Sequence, residues 1–96
     1  MKKFVFLTFG FEPPTPEIMD SWHKWFASFK DKIVDGGNPF ASGREITHSG
    51  TKELTLDKGA ITGYMIINAE SMEEAEGIAK ECPIITSIRV YEAVSM

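Results

Sequence analysis

The residues able to do chemistry are few in this chain and widely spaced. There are two histidines, His23 and His48, and a single cysteine, Cys82. His23 follows Asp20 by three positions, so on a helix the two side chains are neighbours. A carboxylate there would fix the imidazole tautomer and poise it as a general acid or base. The plainer reading is a half-exposed helix histidine. Arg89 and Tyr91 share one face of a strand, and Tyr64 lies on another strand. Either tyrosine can point its hydroxyl into the interior of the fold, and Arg89 suits an anionic group. Arg89 equally suits an ion pair at an interface with one of the fourteen acids. Arg44 stands near His48, which either faces the interior of the fold beside Arg44 and Arg89 or stands in solvent at a strand edge. His23, His48 and Cys82 have no metal-ligand spacing, so no metal is expected. Cys82 has no basic neighbour to lower its pKa and reads as a buried structural thiol. Gly36-Gly37 follows a helix and does not open one, so it is no phosphate loop. No cofactor is called for.

Composition narrows the class of partner. Ninety-six residues, 43% of them hydrophobic and 25% charged, describe one ordinary globular domain spanning positions 1–96. A net charge of −4 argues against nucleic acid and against an anionic membrane surface. One cysteine forms no internal disulfide, which suits the cytoplasm. Lys2-Lys3 and the apolar run Phe4 to Phe9 are too short for a signal peptide and read as a strand. No stretch approaches the ~20 apolar residues of a membrane span.

The elements that must position these residues follow from periodicity. Lys3 to Phe9 alternates Phe4, Phe6 and Thr8 against Val5, Leu7 and Phe9. Thr15-Pro16-Glu17 opens a helix, with a cap, a first-turn proline and an acid at the positive dipole end. Ile18, Met19, Trp22, Trp25, Phe26, Phe29 and Ile33 keep one stripe at 100° per residue, which carries the helix to Asp35 with Gly36 as its cap. Trp22 and Trp25 belong to that stripe as core, or else stack on a flat ligand. Gly43 to His48 is a weak strand, and Thr51 to Leu56 pairs back across Ser49-Gly50. Ala60 to Ala69 is the best-defined strand. Ser71 and Glu74 form a capping box for a helix burying Met72, Ala75, Ile78, Ala79 and Cys82, stopped by Pro83. Thr86 to Val94 is the last strand.

The order β-α-β-β-α-β, with a further short strand in the middle, is the α+β ferredoxin-like pattern. It places two helices on one face of an antiparallel sheet, with the first strand and the Ala60–Ala69 strand central. Both of those strands are apolar on both faces. The face without helices would present Phe, Ile and Tyr to water in a monomer, so a homodimer through the open sheet face is expected.

The stretch ITGYMIINAESMEEAEGIAKECP followed by IRVYEAV resembles the YCII-related, or DGPF-domain, family. FVFLTF, the tryptophan-bearing first helix and GGNPFASGREI extend the likeness over nearly the whole chain. Leu56-Asp57-Lys58-Gly59-Ala60 departs from the family's DGPF stretch and lacks its Pro-Phe pair. The resemblance implies a ferredoxin-like fold paired into a dimeric α/β barrel, in a family that includes small-molecule enzymes. It also implies a catalytic pair of a helix histidine with an aspartate near the helix end, here His23 and Asp35. Twelve residues of continuous helix would hold those two about 18 Å apart, which makes Asp20 the better local partner.

Two functions follow. One is a small enzyme that takes a compact, cyclic or aromatic acid into a barrel pocket, with His23 as acid or base, Asp20 or Asp35 orienting it, Arg89 or Arg44 anchoring a carboxylate, and Tyr64 and Tyr91 lining the site. The other is a non-catalytic dimeric module that binds a small molecule or a protein.

Overall fold

The computed structural model describes residues 1–95. Six strands and two helices follow in the order β1 (Lys2–Phe9), α1 (Pro16–Ser28), β2 (Ile33–Asp35), β3 (Gly43–Thr47), β4 (Gly50–Leu54), β5 (Ile61–Ala69), α2 (Met72–Lys80) and β6 (Ser87–Ala93). The main sheet is antiparallel, in the order β2-β5-β1-β6. Its central strands are the two that are apolar on both faces, as the ferredoxin-like pattern requires.

Both helices lie on one side of that sheet. Phe4 and Phe6 of β1, with Met65, Ile67 and Ala69 of β5, form the buried face beneath them. Trp25, Phe29, Ala75, Ala79 and Cys82 close the core from the helix side. Trp25 is its hinge pin. Its ring stacks on Phe6 at 6.1 Å and meets Phe29 edge-on at 4.7 Å. Its indole N–H donates to the Ile78 carbonyl of α2 at 2.9 Å. One side chain thus ties the sheet, α1 and α2 together. Both helix starts are capped as their sequences dictate. Thr15 Oγ1 accepts from Ile18 N, and Ser71 Oγ accepts from Glu74 N.

The structure corrects the first half of the chain in two places. Helix α1 stops at Ser28, a 3-10 turn covers Lys30–Lys32, and Ile33–Asp35 is a strand. The apolar spacing carries through Ile33, but Ile33 and Val34 are β-branched and favour the extended backbone that completes the sheet. Gly36 is not a left-handed cap; Gly37 is the residue at φ +72°. The second correction concerns Gly43–His48. That segment supplies no strand to the main sheet, since β3 pairs only with β4, in a separate two-stranded sheet. Every residue of this hairpin is exposed, Ile46 at 78%. The arm accounts for a radius of gyration of 14.4 Å, against about 12.5 Å for a compact chain of this length. Two smaller adjustments follow from packing: Met19 and Met72, counted in the apolar stripes, are exposed.

The role of Trp25 is directly measurable. Trp25→Ala should cost about 3–5 kcal/mol through the cavity and lost contacts. Trp25→Phe should cost about 1–2 kcal/mol, because the Ile78 carbonyl keeps its bond from Glu81 N. Urea denaturation followed by circular dichroism would give both values.

Candidate functional site

The face of the sheet turned away from the helices is uncovered in the single chain. Val5, Leu7 and Phe9 of β1, Thr62, Tyr64 and Ile66 of β5, and Arg89 and Tyr91 of β6 share it by strand alternation and register. Most of these side chains are half-buried by one another, and Tyr91 is 50% exposed.

At one edge a loop builds a small polar corner. Asp35 ends β2 with its carboxylate turned to this face. Its Oδ2 accepts from the Tyr64 hydroxyl at 3.4 Å, and its Oδ1 accepts from Gly37 N at 2.8 Å. The second bond is a local Asx turn. Gly37 then takes a positive φ directly against β5, where a Cβ would run into the Tyr64 carbonyl. Pro39 bridges Gly63, and Phe40 N donates to the Thr62 carbonyl at 2.8 Å. These bonds lay the loop along β5 and stack the Phe40 ring on Tyr64, 5.7 Å between centroids at 19°. The corner therefore joins a carboxylate, a phenol and a second aromatic ring.

At the opposite edge stands Arg89. Its guanidinium lies over the Phe9 ring at 4.7 Å, a cation–π contact. Among the described residues no carboxylate pairs with it. Tyr91 follows it on the same face.

The fold treats the remaining candidates differently. His23 is exposed on α1, the layer covering the opposite face. Asp20 pairs with Lys24 at 3.1 Å, one turn along the helix, and does not orient His23. Asp35 is freed by the early helix end, but it turns to the open face and bonds Tyr64. Within one chain, then, neither carboxylate pairs with His23. Arg44 sits on the hairpin arm and faces Glu53 across it at 4.0 Å, on a different sheet from Arg89. His48 occupies the exposed turn at the tip of that arm and lines no interior. Trp25 is core and Trp22 packs against it edge-on at 5.5 Å, so neither is set out for stacking on a ligand. Among the described residues no cluster of three metal-binding side chains occurs. Phe40 was not singled out from the sequence. The signal available was Asp35-Gly36-Gly37 followed by Pro39, a turn that must fold back before the next residue.

Among the described residues two groups have displaced pKa values. Burial pushes the Cys82 thiol up to about 12. The Asp57 carboxyl is held below its usual value, first by the Gly59 N–H it accepts at 2.9 Å and then by the Thr55 hydroxyl. This turn stands where the DGPF stretch would fall. It is closed by its own aspartate, and the Thr86 hydroxyl bonds the Lys58 carbonyl.

No protein-family model matches the chain, and no curated protein does. Among solved structures, it is similar to 5-chloro-2-hydroxyhydroquinone dehydrochlorinase from Burkholderia phenoliruptrix AC1100, in complex with 2,5-dihydroxybenzoquinone. The identity is 17%, the TM-score 0.56, and the match covers 96% of this chain and 93% of that one. At that identity the likeness is one of fold, and it agrees with the ferredoxin-like arrangement described above. No helix among the described residues is long and apolar enough to cross a membrane.

The geometry makes two predictions. Gly37→Ala, which forces a side chain against the β5 backbone at positive φ, should destabilise the fold by at least about 1–3 kcal/mol. It should also shift the Phe40 and Tyr64 ring resonances, where Gly36→Ala, with open space around it, should leave them in place. For Cys82, the unfolded thiol ionises near 9.0 and the folded one near 12, so the unfolded state loses its proton first. The thiol's contribution to stability is thus complete below about pH 9 and declines as pH rises toward 12. Cys82→Ala should flatten that part of a stability–pH curve.

Proposed function

We propose that the chain is a YCII-related protein that works as a dimer, and that it binds a small, flat, acidic molecule on the open sheet face. The observation that carries this reading is the corner formed by Asp35, Tyr64 and Phe40 at the edge of a sheet face that is uncovered and apolar at its centre. An aromatic or quinonoid ring would lie against Tyr64, Phe40 and Ile66, and its acidic group would be held by Arg89. The resemblance in sequence to YCII-related proteins supports this class. So does the fold shared with a dehydrochlorinase whose bound molecule is a dihydroxybenzoquinone.

In the enzymatic form of this reading, proton transfer falls to the open face. Asp35 serves as the base and the Tyr64 hydroxyl orients it. His23 enters only if a second copy brings it a pocket, because in one chain it stands in solvent. That same exposure favours the alternative, a non-catalytic dimeric module that binds the molecule without converting it.

Titration of 15N-labelled protein with 2,5-dihydroxybenzoquinone and with benzoate tests both forms. Shifts at Phe40, Tyr64, Ile66 and Arg89, with millimolar affinity or better and loss in Tyr64→Ala, are expected. Shifts confined to the helix layer, or none at all, would overturn the open-face site. If binding holds, loss of HCl from 5-chloro-2-hydroxyhydroquinone, with the proton taken by Asp35 and chloride leaving, that falls at least about 100-fold in Asp35→Asn selects the enzyme. Unchanged turnover in His23→Ala removes that histidine.

A further inference from the structure

Two of the three charges on the open face stand at opposite edges. Asp35 lies on edge strand β2 and Arg89 on edge strand β6. Three strand spacings, roughly 14 Å, separate those edges. A ring the size of a benzoate cannot touch both from within one chain. Between them lie Ile66, Tyr64, Val5 and Leu7, so the centre of the face is apolar. The third charge on the face, Lys3, stands toward the end of β1, opposite Asn68 and Ala93.

Two identical faces can stack only about a two-fold axis lying between the sheets. If that axis ran across the strands, like edges would meet, β2 against β2 and β6 against β6, which brings like charges toward one another. If it runs along the strands, unlike edges meet and the charges are complementary. The register adds detail. Asp35, Ile66, Val5 and Tyr91 form one row across the sheet, and Tyr64, Leu7 and Arg89 form the next. An axis along the strands keeps each row over itself. It sets Val5 against Ile66 of the second copy, Leu7 against its Tyr64, and Lys3 against its Asn68. Asp35 then faces Tyr91 of the second copy, with Arg89 of that copy one cross-strand pair away, about 7 Å along the strand. That is within the reach of an arginine side chain.

We infer that each ligand site is shared between two copies of this chain. Asp35, Tyr64 and Phe40 come from one copy, and Arg89 and Tyr91 from the other, in a two-fold dimer whose axis runs along the strands. The occupant of the open face is thus a second copy, chosen by charge complementarity. The site would take an aromatic carboxylate or quinonoid acid between the two tyrosines, and without ligand Arg89 pairs with Asp35 across the interface. This inference rests on the dimeric reading above and specifies its orientation.

Sedimentation equilibrium on the full chain at low salt tests it. Asp35→Asn and Arg89→Gln should each weaken the dimer by about tenfold. Asp35→Arg and Arg89→Asp should each dissociate it further. An equimolar mixture of those two charge-reversal variants should restore it, since both pairs re-form in the mixed dimer. Neutralisation that leaves the dimer unchanged or tightens it overturns the orientation, because the like-edge packing predicts tightening. A wild-type chain that stays monomeric overturns the dimer itself. The ligand site is separated by a mixing experiment. Tyr64→Ala and Arg89→Gln are each expected to bind no benzoate, and mixing them should return one intact site per mixed dimer. Failure to recover binding in a confirmed mixed dimer overturns the sharing while leaving the dimer standing.

Discussion

The constraint on which everything else depends is that β1 and β5 are apolar on both faces, while the chain owns helices enough to cover one. Trp25 decides which. By stacking on Phe6 and donating to the Ile78 carbonyl, it clamps both helices over the face made by Phe4, Phe6, Met65 and Ile67. The residues on the other side, Val5, Leu7, Tyr64 and Ile66, are then left to one another and to solvent. A sheet of four strands with one bare apolar face is an unfinished structure in energetic terms. Its completion is the natural place for function, because a cover over it would enclose Asp35, Tyr64 and Arg89 among those apolar side chains.

The same constraint explains the shape of the middle of the chain. β2 has only three residues, enough to pair with β5 but not to extend the core. The loop after it does more than connect. Asp35 closes an Asx turn, Gly37 passes against the β5 backbone, and Phe40 comes down on Tyr64. The hairpin β3–β4 beyond it is the opposite case. Its ten strand residues are all exposed, and a free two-stranded hairpin is marginal in water. The arm stays formed through its short turn, where the Thr47 hydroxyl accepts from Ser49 N, and through the cross-strand pair of Arg44 and Glu53.

Much of this was legible in the sequence, and the reasons differ by element. The strand alternation of β1 and β5 is strict, so the central position and two-sided character of both strands could be read directly. The caps at Thr15 and Ser71 could be read because side-chain capping is a local rule. The end of α1 could not. Ile33 falls in phase with the helical stripe, and only the pairing of Ile33 with Ile67 shows that the sheet outbid the helix. Strand pairing is a long-range choice that leaves a weak local trace. That single displacement moved Asp35 from a helix end to the open face. There it bonds Tyr64, and the pairing with His23 that the family resemblance implies does not form within the chain.

The two edges of the open face also suggest why the proposed chemistry should need two chains. A carboxylate and a guanidinium within reach of each other on one small domain would pair, and a ligand would have to break that pair. Here Arg89 rests instead on the Phe9 ring, an attraction weaker than a salt bridge in a closed site. Asp35 is held by a backbone N–H and a phenol, both neutral donors. Among the described residues, each charge is therefore oriented but has no ion-pair partner. In a dimer of the proposed orientation the two meet only when the faces close, in surroundings made apolar by Val5, Leu7 and Ile66 of both copies. There an anionic ring that takes Arg89 away from Asp35 would leave that carboxylate beside the ligand without its counter-ion. Binding would thereby bring the carboxylate and the ring together, and the guanidinium that holds the ring would come from the neighbouring chain.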